Sequence, residues 1–125
     1  MDSVKELHFP PTLSAPARAR EAVRSGLAGV SERTVEAAAL LVSELVTNSV
    51  RHSGTAPDET LILRICSVRP AVRIEVADWG TGFQFRPRST PLDRPGGWGL
   101  QLVERLARRW GIQEGPPTTV WFELG

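Results

Sequence analysis

Two stretches of alternating apolar residues, separated by a very short turn, constrain the fold of this chain more than any other feature. The apolar positions are Leu61, Leu63 and Ile65 in the first stretch, and Val72, Ile74 and Val76 in the second. A period of two predicts β-strands. Strands joined by a tight turn pair antiparallel, because a parallel pair needs a long crossover connection. The turn near Arg69-Pro70 therefore predicts a β-hairpin.

Two helices are predicted before this hairpin. Ser14 can cap a helix that begins at Ala15 and runs to about Ser25, and its thin, alanine-rich apolar face predicts a peripheral position. Ser31 can cap a longer helix that runs to about His52. Its apolar stripe recurs at helical spacing and consists of Val35, Ala38, Ala39, Val42, Leu45, Val46 and Ser49.

The remaining segments complete a two-layer arrangement. Residues 3–9 alternate and predict a short edge strand, residues 98–110 predict a third helix, and two short strands are expected at about 111–114 and 118–124. The stripe expected to be buried in the third helix is Leu100, Val103, Leu106, Ala107 and Trp110. The order of elements predicts an α/β (α+β) two-layer sandwich, in which a mostly antiparallel mixed sheet has helices on one face.

Composition limits the classes of function. The 125 residues are enough for one domain, predicted over 1–125, and the net charge of +1 gives no reason to expect a nucleic-acid partner. Lys5 is the only lysine, which excludes any mechanism that needs a catalytic lysine in the body of the domain. The single cysteine, Cys66, the absence of a signal peptide and the absence of a long apolar run predict a cytoplasmic protein without a membrane partner.

Three polar or glycine-rich clusters are candidates for chemistry. Glu44 and Asn48 are four residues apart on the long helix and project from the same face, with Arg51 continuing that edge. Asp78-Trp79-Gly80-Thr81-Gly82 follows a strand, where an aspartate can accept a hydrogen bond from an exocyclic amine and glycines permit close approach to a flat ligand. Gly96-Gly97-Trp98-Gly99-Leu100 opens the third helix, whose amide groups form a potential anion site.

Each cluster alone also fits a simpler interpretation: a local pair on a solvated helix face, a strand-end turn, and a flexible helix entry. The combination in this order is more specific. Glu-x-x-x-Asn, then Asp-x-Gly-x-Gly, then Gly-x-Gly-Leu resembles the ATP-binding (Bergerat) fold of the GHKL superfamily, which includes gyrase, histidine kinases and MutL. Residues 99–103 and the ending 118–124 are similar to the bacterial anti-sigma-factor serine/threonine kinases of the RsbW and SpoIIAB type.

The resemblance implies a role for each matching residue. Glu44 would be the catalytic base or would orient the attacking hydroxyl of a substrate serine or threonine. Asn48 would ligate Mg²⁺, and Asp78 would accept a hydrogen bond from the adenine amino group of ATP. Gly80 and Gly82 would line the adenine pocket, and residues 83–96 would form a lid. The remaining implied ligand contacts come from Gly97, Gly99 and Leu100 at the phosphates, Thr119 near the adenine, and Arg51 toward the triphosphate or the lid.

Two departures from the family pattern concern positions that are often basic. Pro116-Pro117-Thr118 stands where many relatives have Gly-Lys before the final strand, and Trp98 stands where arginine is common. The loop arginines, namely Arg86, Arg88 and Arg94, could compensate, or they could belong to a solvated loop. His8 and His52 have no second metal ligand at a suitable spacing, which favours structural or surface roles.

Three functions remain open from the sequence. The resemblance implies an ATP-dependent serine/threonine kinase that sequesters a sigma factor, phosphorylates a STAS-type anti-anti-sigma protein and forms a homodimer. The departures at Trp98 and Pro117 motivate an alternative, an ATP-binding or degenerate regulatory module that sequesters a partner without phosphotransfer. A histidine-kinase catalytic domain is less favoured, because the chain shows no upstream helical hairpin with an acceptor histidine and His8 lies in a predicted strand.

Overall fold

The computed structural model describes residues 3–52, 59–68, 70–79 and 99–125. The elements follow the predicted order, and their bounds are β1 (Ser3–Phe9), α1 (Ala15–Gly26), α2 (Glu32–His52), β2 (Leu61–Val68), β3 (Ala71–Asp78), α3 (Gly99–Leu106), β4 (Arg109–Gln113) and β5 (Thr118–Leu124). The five strands form one sheet in the order β1-β2-β3-β5-β4, and every neighbouring pair is antiparallel. The predicted sandwich and the edge position of β1 are confirmed.

The hydrophobic core lies between one face of the sheet and the helices. Strand alternation turns the predicted apolar residues of β2 and β3 inward, where Leu63 and Ile74 are fully buried. From β5, Phe122 is the largest fully buried side chain. On α2 the predicted stripe is buried from Ala38 onward, so the period of 3.6 identified the correct face.

The first two helices pack against each other and differ in how they begin. Ser31 caps α2 as predicted, because its Oγ accepts a hydrogen bond from the Thr34 amide at 3.2 Å. Ser14 does not cap α1: it has αR backbone angles, and its hydroxyl is hydrogen-bonded to the Thr12 hydroxyl instead. Helix α1 contributes Ala15, Ala19 and Val23 to the core, so its alanine face is a close-packed contact.

The predicted third helix is too long. Helix α3 ends at Leu106, which is 44% exposed, and Trp110 lies in β4 opposite Phe122. The edge of β5 offers backbone partners, and the Arg108 amide already donates to the Glu123 carbonyl at 2.8 Å. A sheet ladder therefore replaces the last helical turn, since tertiary pairing outweighs a short helical pattern. In the predicted stripe of α3, Val103 is buried as expected and Leu106 is exposed, whereas Trp110 is partly buried against the core but from β4 rather than from the helix.

The other face of the sheet carries a chain of ion pairs that crosses all five strands. We call it the open-face ion network, and its members are His8, Glu6, Arg64, Glu75, Arg73, Glu123 and Arg109. Its shortest contacts join His8 to Glu6, Arg73 to Glu75 and Arg109 to Glu123, each at 2.8 Å. Each exposed pair adds little stability alone. Within the described ranges, no helix is long and apolar enough to cross a bilayer.

Trp121 lies on the open face between two neighbours. The Arg73 guanidinium stacks on its indole ring at 4.1 Å from the ring centre. On β4, Gly111 is its register partner, and a Cβ added at Gly111 would stand 2.8 Å from indole Cζ2. Glycine is needed at 111 because the indole occupies the space that a side chain would fill.

Candidate functional site

The C-terminal half of α2 carries two polar side chains on one edge of its buried stripe. Asn48 is only 4% exposed, and its Oδ1 accepts no hydrogen bond from any group in the described part of the chain. Glu44, one turn earlier, is half-buried, and Arg51, near the end of the helix, is exposed. An unpaired buried amide oxygen costs about 1–3 kcal/mol, so this arrangement indicates a group reserved for a ligand.

Asp78 ends β3 and is almost completely buried, with 1% of its surface exposed. The Ser49 hydroxyl donates a hydrogen bond of 2.8 Å to Asp78 Oδ2. This contact joins the last turns of α2 to the end of the central hairpin, and it brings the sequence neighbours Asn48 and Ser49 to the same end of the sheet as Asp78. A buried carboxylate requires such donors, because its desolvation is costly.

The sequence pattern places Ser49 in the apolar stripe of α2. The structure confirms its burial, at 2% exposure, and adds the bond to Asp78 that the pattern could not reveal. The available signal was chemical: Ser49 is the only hydroxyl in a stripe otherwise made of alanine, valine and leucine. A buried hydroxyl needs a partner, and the stripe itself offers no polar side chain.

Thr119 does not join this cluster. In β5 the buried residues are Val120, Phe122 and Leu124, so alternation turns Thr119 toward the open face of the sheet. Thr118 has the inward parity and is the register partner of Asp78. Thr118, which the sequence interpretation passed over, is therefore the threonine on the same face as Asp78. Counting two by two from Val120 would have identified it.

The amino end of α3 is the third component. The helix begins at Gly99-Leu100 as the glycine pattern predicts, and it packs against α2. The first amides of a helix lack intrahelical partners and attract anions. Gly80, Gly82, Gly97 and the expected lid at 83–96 lie outside the described residues.

The residues present fit a magnesium ion held jointly with a phosphate-bearing ligand. Mg²⁺ prefers oxygen ligands and usually keeps few from the protein, taking others from substrate phosphates and water. The buried, unpaired Asn48 Oδ1 is one such oxygen. The described residues hold no cluster of three or more His, Cys, Asp or Glu side chains that could bind a metal by themselves.

Comparisons with known proteins agree with this architecture. Two solved structures resemble the chain: the histidine kinase domain from the Erythrobacter litoralis EL346 blue-light activated histidine kinase, at 22% identity, and that blue-light activated histidine kinase itself, at 21%, each with a TM-score of 0.55. Each match covers 93% of this chain but only 61% and 42% of those chains, so this chain spans less than two thirds of either. At such identities the likeness shows the fold alone.

No curated protein matches the chain. A family model, the histidine kinase-like ATPase domain, matches residues 9–124. That range runs from the end of β1 through the last residue of β5 and includes Glu44, Asn48, Ser49 and Asp78. The chain belongs to the histidine kinase-like ATPase domain family of the GHKL superfamily.

Proposed function

We propose that this chain is an ATP-dependent serine/threonine protein kinase that acts as an anti-sigma factor. It would sequester a sigma factor and phosphorylate a STAS-type anti-anti-sigma protein, as a homodimer in the cytoplasm. The observation that carries the kinase proposal is the pairing of a half-buried Glu44 with a buried, unpaired Asn48 Oδ1 one helical turn away. The identity of the protein partners rests on the sequence resemblance.

The chemistry needs a base beside a metal-bound phosphate. Glu44 accepts the proton of the substrate hydroxyl, while the hydroxyl oxygen forms a bond to the γ-phosphorus and the bond to the β-phosphate oxygen breaks to release ADP. When bound, Mg²⁺ neutralises charge on the phosphates, and Asn48 would hold it. The amides at Gly99 and Leu100 would add hydrogen bonds to the phosphates.

A hydroxyl acceptor is favoured over a histidine acceptor by the presence of this base. A serine or threonine hydroxyl must lose its proton to become a good nucleophile, whereas a neutral imidazole nitrogen already has an available electron pair. Asp78 would recognise the adenine amino group, with Thr118 rather than Thr119 as its neighbour in β5. The exposed Arg51 can reach a triphosphate or a partner from the end of α2.

A second function, sequestration without phosphotransfer, is favoured by one observation. Pro116 and Pro117 immediately precede β5, so this approach to the site carries no cation at a position that is often lysine in relatives. Such a module would bind its partner equally well with Glu44 intact or replaced.

The test is transfer of labelled phosphate from ATP, with Mg²⁺, to a panel of sigma factors and STAS-type proteins from the same genome. We expect one STAS-type protein to be labelled, and Glu44→Gln to reduce the rate at least about a hundredfold, as for loss of a general base. Glu32→Gln is the matched control, because Glu32 is exposed in the first turn of the same helix. Asn48→Ala should abolish the Mg²⁺ dependence of ATP affinity.

Three results would contradict the proposal in different ways. Label that is lost in acid and retained in alkali would indicate phosphohistidine. Sigma-factor binding with no labelling, unchanged by Glu44→Gln, would indicate the sequestration module. Calorimetry that detects no ATP binding with Mg²⁺ would exclude the kinase function.

A further inference from the structure

The hydrogen bond between Ser49 and Asp78 is a buried contact of the candidate site whose role the proposed function does not assign. It joins residues 29 positions apart, at 2.8 Å, and both side chains are at most 2% exposed. Ser49 lies on a packed helix and Asp78 ends a central strand, so the backbone position of each residue is fixed by its element. The hydroxyl is therefore a fixed donor directed at one specified carboxylate oxygen, Oδ2.

Such a donor acts on the orientation of the carboxylate. The terminal torsion of an aspartate is broad, so packing alone leaves the plane of the carboxylate poorly defined. A donor on Oδ2 holds that plane and keeps the side chain as a hydrogen-bond acceptor. Ser49 thereby contributes to the direction in which this carboxylate can accept a hydrogen bond from a ligand.

We propose that Ser49 is a positioning residue that sets the purine selectivity of the site by orienting Asp78. This inference rests on the proposed function, because it requires a purine nucleotide at Asp78. A purine with an amino group at C6 donates to a correctly oriented carboxylate. A purine with a carbonyl at C6 presents a second acceptor, so the carboxylate repels it. Both effects depend on orientation, and both weaken when the plane is released.

A purely structural role makes a different prediction. If Ser49 only provides a hydrogen-bond donor to a buried carboxylate, its loss lowers the stability of the fold and reduces the affinity for every nucleotide to the same degree. Selectivity between nucleotides is unaffected in that case. The ratio of dissociation constants thus separates the two roles, whereas a single affinity does not.

The experiment is calorimetric titration of the full chain with ATP, inosine triphosphate and purine riboside triphosphate, which has hydrogen at C6. The selectivity is the dissociation constant for inosine triphosphate divided by the dissociation constant for ATP. We expect Ser49→Ala to reduce this ratio by about tenfold, as for a lost hydrogen bond to a charged group. Affinity for purine riboside triphosphate should change less than about twofold. Ser49→Thr, which keeps the hydroxyl, should retain the wild-type ratio.

Ser43→Ala is the matched control. Ser43 lies on the same helix, and its hydroxyl accepts a hydrogen bond of 2.7 Å from Arg20, so the variant loses a contact of similar length away from Asp78. We expect its nucleotide ratio to equal that of the wild type. If Ser49→Ala does not fold, Ser49→Cys provides a weaker donor of similar size and should lower the ratio in the same direction.

The outcomes are distinguishable. An unchanged ratio in Ser49→Ala or Ser49→Cys, or an equal loss for all three nucleotides, would overturn the positioning role and leave the proposed function standing. A wild-type chain that binds none of the three nucleotides would overturn both.

Discussion

Gly111 provides a sharp test of packing on the open face. A Cβ at this position would lie 2.8 Å from Cζ2 and 2.9 Å from Cε2 and Nε1 of Trp121. Carbon atoms in good contact stand about 3.5–4.0 Å apart, so in Gly111→Ala the indole must move by at least half an ångström. The indole cannot move without disturbing Arg73, which stacks on it at 4.1 Å and also binds Glu75 and Glu123.

The expected cost follows from three opposing effects. Inserting a methyl group into a filled space typically costs about 1–3 kcal/mol. Weakening the contact between Arg73 and Trp121 adds about 0.5–1 kcal/mol. Replacing glycine lowers the conformational entropy of the unfolded chain, which stabilises the fold by about 0.4–1 kcal/mol. We expect Gly111→Ala to lower the free energy of unfolding by about 2 kcal/mol, and to lower the urea midpoint by about 1 M.

Urea unfolding followed by far-ultraviolet circular dichroism measures this cost without relying on tryptophan fluorescence. In a Trp121→Val background the obstacle is gone, so Gly111→Ala should be neutral or slightly stabilising there. Gly26→Ala is the matched control, because its Cβ would meet Ile65 at 3.5 Å, which is an ordinary contact. An unchanged midpoint for Gly111→Ala, or the same loss in the Trp121→Val background, would refute the reasoning.

Three further predictions concern stability and reactivity. Ser31→Ala should lower the free energy of unfolding by about 1 kcal/mol through loss of its helix cap, whereas Ser14→Ala should change it little, and equal losses in urea would contradict this. The hydrogen bond from Arg109 lowers the pKa of Glu123 below its ordinary 4.5, so this carboxylate stabilises the fold above that pH and loses its contribution as pH falls further. The stability difference between wild type and Glu123→Gln should therefore shrink on acidification below 4.5, and a constant difference would count against it. Burial raises the pKa of the Cys66 thiol, so iodoacetamide should react more slowly with the folded chain than with the urea-unfolded chain at mildly alkaline pH, and equal rates would contradict the argument.

Local patterns predicted the fold wherever a single period governed a whole element. Strands β2 and β3 and helix α2 follow their patterns from end to end, and a short turn leaves the hairpin no alternative pairing. The helical pattern is misleading where helix and strand compete. Residues 107–110 continue the helical spacing of α3, but the edge of β5 offers a ladder, and no local rule weighs a distant strand against the next helical turn.

The site was predictable in composition and less so in contacts. The spacing of Glu44 and Asn48 identifies their shared helix face without a structure. The pairing of Ser49 with Asp78 depends on how α2 lies over β3, which is set by packing and has no signature in either segment. The choice between Thr118 and Thr119 could have been made from the sequence, because alternation from Val120 fixes the inward parity.

The open-face ion network also limits how the strands can align lengthwise. Burial of the apolar face permits a strand to slide by two residues, since such a slide returns each side chain to its own face. Glu6 lies opposite Arg64, and Arg64 lies opposite Glu75. A two-residue slide of β1 would leave Glu6 opposite Ile62 or Cys66, with its charge unmatched. The solvent-exposed face of the sheet thus favours one strand register, which the buried apolar face alone does not distinguish from a register shifted by two residues. Reversing the charge at Arg64 should therefore permit shifted registers without disrupting the hydrophobic core.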